Sequence, residues 1–133
     1  MIPMDEALKA LKRMLANGPL TDLPRSRSDQ ELLLALAAAR FEVGRTYDEK
    51  GVNQILQKWL AGASIPFGID HVTMRRCLVD WQFLVRDKAG TGYQVAPARI
   101  DHAIGSDARA LDPGAIIADV RRTRAERKRE HAA

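Results

Sequence analysis

A chain of 133 residues, 46% hydrophobic and with a net charge of +4, has room for one domain with modest appendages. With 5% aromatic residues, Leu, Val, Ile and Ala must fill most of its core. No run nears the ~18 apolar residues of a membrane span, the start "MIPMDEALKALKRML" lacks the basic and apolar blocks of a signal peptide, and the lone Cys77 forbids an internal disulfide, which together suit a reducing, cytoplasmic setting.

Pro3 to Asn17 reads as a helix, with Ala7, Leu8, Leu11 and Leu15 at helical spacing and "NGP" as its stop. After the connector "LTDLPRSR", "SDQE" (Ser28–Glu31) has the pattern of a capping box opening the helix "LLLALAAARF". "RTY" (Arg45–Tyr47) is short and β-prone. Asp48 then caps "EKGVNQILQKWL", where Val52, Ile55, Leu56 and Trp59 share one face. The loop "AGASIPFGI" leads to Asp70 as the next N-cap, and Met74, Cys77, Leu78 and Trp81 form the core stripe of the helix that follows. "FLVRD", the turn "KAGTG" and "YQVA" read as a hairpin.

Helix, short strand, helix, loop, helix and hairpin is the order of a winged helix, a mainly α fold with a small β-hairpin. In it the hairpin is the wing, and the helix from Asp70 takes the place of the recognition helix. Beyond Pro97, "ARIDHAIGSDARAL" reads as a short helix broken at Gly105, and Asp112–Pro113 starts a last helix. The organisation expected is an N-terminal helix and connector (1–22), a winged-helix-like domain (23–97) and a basic helical tail (98–133).

"RFEVGRTYDEKGVNQIL", "DHVTMRRCLVDWQFLVRD" and the closing "GYQV" carry a resemblance to the family called domain of unknown function 2087, over about Leu23 to Ala96. That family occurs in bacterial proteins, some described as helix-turn-helix transcription regulators. The resemblance implies a winged-helix-like fold and a role in transcription, with no established activity. The chain departs from the family pattern at Gln82, where glycine is usual, and in the length of "AGASIPFGI".

At about 100° per residue, Val72, Arg75, Arg76 and Val79 fall opposite the core stripe of the helix from Asp70, flanked by Thr73 and Asp80. The forked donors of Arg75 or Arg76 suit guanine edges or phosphates. Thr73 could meet a base or the backbone, and Arg86 and Lys88 on the wing a neighbouring phosphate. Against this, Asp80 stands four residues after Arg76, at ion-pair spacing, and repels phosphate. The valines suit contact with protein. Lys/Arg and Asp/Glu balance at 8 each over Ser28–Pro97, whereas Pro113–Ala133 holds 6 against 3. A basic footprint on the folded domain, usual in nucleic-acid binders, is therefore missing.

The tail residues Arg121, Arg122, Arg124, Arg127, Lys128 and Arg129 read either as an electrostatic arm or as a solvated helix end with Arg122–Glu126 and Glu126–Arg129 pairs. Ile116, Ile117 and Val120 are expected to dock on the parent domain. Cys77 reads as a structural thiol and His71 as a surface histidine. The histidines and the cysteine show no metal spacing, and no phosphate loop or nucleophile elbow is present. No enzyme, metal or cofactor is expected. The leading expectation is a small DNA-binding transcription regulator, with homodimerisation open. The other is a protein-interaction or dimerisation module on the same scaffold, without DNA contact.

Overall fold

The computed structural model describes residues 1–63, 68–89 and 91–132. Six α-helices are described: α1 (Met4–Met14), α2 (Arg27–Ala38), α3 (Glu49–Ala63), α4 (His71–Asp80), α5 (Pro97–Ala103) and α6 (Pro113–Ala132). Strands β1 (Leu84–Arg86) and β2 (Tyr93–Val95) lie between α4 and α5, and a 3-10 turn (Ser106–Ala110) precedes α6. The fold is thus mainly helical with one small antiparallel hairpin, in the element order read from the sequence.

The core is built around α2. Every residue from Leu32 to Ala38 is buried, so this helix is apolar all round. It packs on α4, on α5 and on the 3-10 turn. The hairpin pairs Leu84 with Val95, Val85 with Gln94 and Arg86 with Tyr93. Its inward residues Leu84, Tyr93 and Val95 are buried while Val85 is exposed, the alternation that a two-faced ribbon requires. The expected strand at Arg45–Tyr47 contracts to a bridge at Tyr47, which exchanges both backbone hydrogen bonds with Tyr93 at 2.8 Å.

One apolar cluster runs from Ala7 to Ile117, so the terminal helices share the core of the middle segment. Ile2 bridges Ile104 in parallel, and α1 packs on α6. Ile116 and Ile117 are buried and Val120 is partly buried, docked as expected.

Two local readings are corrected. The cap of α2 is Ser26, not Ser28. Ser26 is extended (φ −73°, ψ 142°) and its hydroxyl accepts from the Asp29 N–H at 3.1 Å. Glu31 does not close a capping box but pairs with Arg99 of α5 at 3.0 Å. Ser26 and Asp29 have the same Ser-x-x-acid spacing as Ser28 and Glu31, and this pair has a tertiary partner as well. Arg13 of α1 donates to both carboxylate oxygens of Asp29, at 3.0 and 2.7 Å. Asp29 is 7% exposed, so it must sit in the first turn facing α1. Its carboxyl is held below the ordinary carboxylate range by the Arg13 hydrogen bonds, against the opposing cost of burial. The loop reading of "AGASIPFGI" is corrected at its start, since Ala61–Ala63 continue α3; residues 64–67 lie outside the described residues.

Candidate nucleic-acid interface

The candidate surface is α4 with the hairpin that packs beside it. Three devices fix this helix. At its start, the Asp70 carboxylate accepts from the Thr73 N–H at 2.7 Å, as an N-cap should. That bond, and after it the Thr73 side chain, hold the Asp70 carboxyl below its usual value.

At its end, Gln82 has φ 65°, alone among described non-glycine residues in being left-handed. The Gln82 N–H donates to Val79 O at 3.0 Å and the Phe83 N–H to Leu78 O at 2.8 Å. These two bonds, closed over the buried side chains of Leu78 and Phe83, make a complete Schellman motif with glutamine in the position that favours glycine. Arg99 Nε also donates to Trp81 O at 3.0 Å, and the Arg27 guanidinium lies 5.3 Å from the Trp81 ring.

Along its flank, Arg75 reaches α3. Arg75 Nη1 donates to Asn53 Oδ1 at 2.6 Å and Nη2 lies 3.0 Å from Glu49 Oε1. One turn earlier, His71 Nδ1 lies 3.4 Å from Gln57 Nε2. Glu49, Asn53 and Gln57 are spaced by four along α3, a polar seam beside α4 in which Asn53 is half-buried and Glu49 and Gln57 stay exposed.

The sequence-derived site residues therefore separate. Arg75, expected on the outer face, has a side chain only 15% exposed and is held within the fold. At about 100° per residue Arg75 stands about 80° from the midpoint of the buried Met74 and Leu78, on the side where α3 supplies acceptors. Thr73 is half-buried at the cap. Arg76 is exposed, and among the described residues no ion pair joins it to Asp80. On the hairpin Arg86 and Lys88 are exposed, with the Arg86 guanidinium 5.5 Å from the Tyr93 ring.

Within the expected core stripe, Met74 and Leu78 are fully buried while Cys77 and Trp81 lie at its edge. Desolvation, with the Asp80 charge second, raises the Cys77 thiol pKa. Such a thiol is a poor nucleophile. Among the described residues no group of three or more His, Cys, Asp or Glu is placed to hold a metal ion, and no helix is long and apolar enough to cross a membrane.

The tail set lies elsewhere. Arg121, Arg122, Arg124, Arg127, Lys128 and Arg129 are exposed on α6. Arg122 pairs with Asp119, in place of the expected Glu126. On α3, Asn53 and Gln57 face α4, whereas Gly62 approaches Gly114 at the start of α6 and lies on the opposite side of the α3 axis. Residues missed from the sequence are Asn53 and Glu49, which hold Arg75, and Arg27 at the Trp81 ring. The spacing of Glu49, Asn53 and Gln57 was the available signal.

A family model described as an uncharacterized protein conserved in bacteria, domain of unknown function 2087, matches residues 19–95. No curated protein and no solved structure matches the chain.

Proposed function

The chain belongs to the family of domain of unknown function 2087, and from that premise we propose that it is a small cytoplasmic DNA-binding protein, a transcription regulator with a winged-helix domain. In this reading α4 enters the major groove, Arg76 and Thr73 meet base edges or the backbone, and Arg86 and Lys88 of the hairpin reach an adjacent phosphate. Arg75 acts as a positioning residue, setting α4 on α3. No catalytic step, metal or cofactor enters the proposal.

The observation that carries it is the exposed Arg76 face of a helix pinned at both ends and along one flank, beside the exposed Arg86 and Lys88 of the hairpin. A helix so fixed keeps the side chains on its outer face in one geometry, which base readout demands. The test is fluorescence anisotropy with random and genomic duplexes over a salt series. Thr73→Val with Arg76→Ala should cost about 1–3 kcal/mol on a preferred site and erase preference among sequences. Unchanged affinity and preference in that folded variant would end the reading.

A second reading, a protein-contact or homodimer module, is favoured by a shallow groove of about 660 Å³ between α4, β1 and α5. Val79, Leu84, Ala96 and Ala98 line it beside Val85, which is 55% exposed. Val85→Lys should leave a monomer if this groove joins two copies. Sedimentation of the native chain as a monomer at high concentration would count against it.

A further inference from the structure

Charge is divided between the two ends of the chain and its middle, and the fold gathers those ends. Over residues 19–112, Lys/Arg and Asp/Glu balance at 12 each, so the whole surplus of +4 belongs to residues 1–18 and 113–133. These segments are α1 and α6, which pack on each other. Arg121 lies beside Gly18, and Arg124 Nη2 donates to Asn17 Oδ1 at 3.4 Å. On α1 Lys9 and Lys12 are exposed, as are Asp5 and Glu6 in its first turn, and from Arg121 to His131 all of α6 is exposed except Thr123. The 12 residues of α6 after Val120 extend about 18 Å at 1.5 Å each.

We infer that α1 and α6 form a second nucleic-acid surface, which holds the phosphate backbone of a duplex other than the one met by α4, so that one chain bridges two duplexes. The inference rests on the α4 reading for the first duplex. Three observations favour it. The basic footprint that marks a phosphate-binding surface is present in the molecule but on α6, where residues 113–133 hold 6 Lys/Arg against 3 Asp/Glu, with Lys9 and Lys12 on the helix packed against it. The α4 and α6 contacts lie on opposite sides of the α3 axis. A duplex stiff over ~150 bp does not wrap a fold whose radius of gyration is about 14 Å.

The exposed half of α6 also fits phosphate better than a lipid surface. Between Arg121 and Ala132 its apolar residues are Ala125 and Ala132 alone, whereas a helix lying in a membrane interface needs an apolar face to bury. The contact carries no sequence preference, because point charges along a helix meet the backbone without reading base edges.

The test uses the full chain. A quadruple variant, Arg124→Gln, Arg127→Gln, Lys128→Gln and Arg129→Gln, alters exposed side chains, gives up the Arg124–Asn17 contact, and should keep the native far-UV spectrum with at most a small fall in melting temperature. Two readouts run together: anisotropy on one labelled duplex over a salt series, and capture of a fluorescent duplex by a bead-bound duplex. The native chain should capture the second duplex in a salt-sensitive manner. In capture of the second duplex the quadruple variant should lower the steepness of log K against log salt by about 3–4, at roughly 0.9 per phosphate contact, while the slope for a preferred duplex held by α4 stays. Its capture should fall at least tenfold while its sequence preference stays.

Native binding to one duplex without capture of a second would overturn the inference and leave the α4 reading standing. Capture undiminished in the quadruple variant would overturn it too. If Thr73→Val with Arg76→Ala left both readouts unchanged, the α4 reading would fail and bridging through α4 with it. Tighter binding to phosphatidylglycerol vesicles than to duplex, lost in the quadruple variant, would assign the surface to a membrane and refute the duplex.

Discussion

Replacing Gln82 by glycine isolates the strain at the end of α4. A left-handed backbone costs a residue with a Cβ about 1–2 kcal/mol, and Gln82 holds φ 65°. Glycine removes that cost but gains freedom in the unfolded chain, which offsets roughly 0.5–1 kcal/mol. Gln82 is exposed, so no core packing is lost. The net expectation is a gain of about 0.5–1 kcal/mol. For 133 residues, an unfolding entropy near 2.1 cal/mol/K per residue converts this to a rise in Tm of about 2–4 °C. Circular dichroism melts measure it, with a urea midpoint shift at constant m as the check. Gln82→Ala, which keeps the Cβ, should show no gain. An unchanged or lower Tm for Gln82→Gly would refute the account of strain, and with it the view that the Schellman closure of α4 is held against a local preference.

Arg75 and Arg76 are adjacent but should behave oppositely in stability measurements. Arg75→Ala leaves Asn53 and Glu49 without their partner and should cost about 1–2 kcal/mol, while Arg76→Ala should stay within about 0.5 kcal/mol; equal effects in chemical denaturation would count against the interlock. Asp70→Ala removes the cap of α4 and should cost about 1 kcal/mol, read as a lower urea midpoint. Asp29 titrates below its unfolded value, so its contribution is complete above the unfolded carboxylate pKa and is lost as pH falls through the lower folded value. Asp29→Asn should therefore be less stable than native at pH 7 and should lose less of its stability on acidification, and parallel pH profiles of the two proteins would contradict the Arg13 pairing.

Periodicity and caps fixed by local chemistry were legible in the sequence. Asp48 and Asp70 each accept from the N–H three residues on, because an N-cap depends only on its own first turn. The stripe of Val52, Ile55, Leu56 and Trp59, in which Ile55 is only partly buried, the hairpin and the break at Gly105 follow from spacing and glycine placement, which are local as well. Gln82 stood out as a misfit at a glycine position, and its positive φ agrees.

Tertiary structure decided the rest. The sequence offers two Ser-x-x-acid patterns, from Ser26 and from Ser28; Ser26 is the cap, and its Asp29 is the one that meets Arg13, 16 residues earlier in sequence. Arg75 left the outer face because α3 offers it Asn53 and Glu49, 22 and 26 residues away. The pairing of the two chain ends depended on α1 meeting α6, a contact spanning most of the chain. A helical wheel gives the direction of a side chain but not what stands there, and that difference separates a residue free to meet a partner from one used to build the fold.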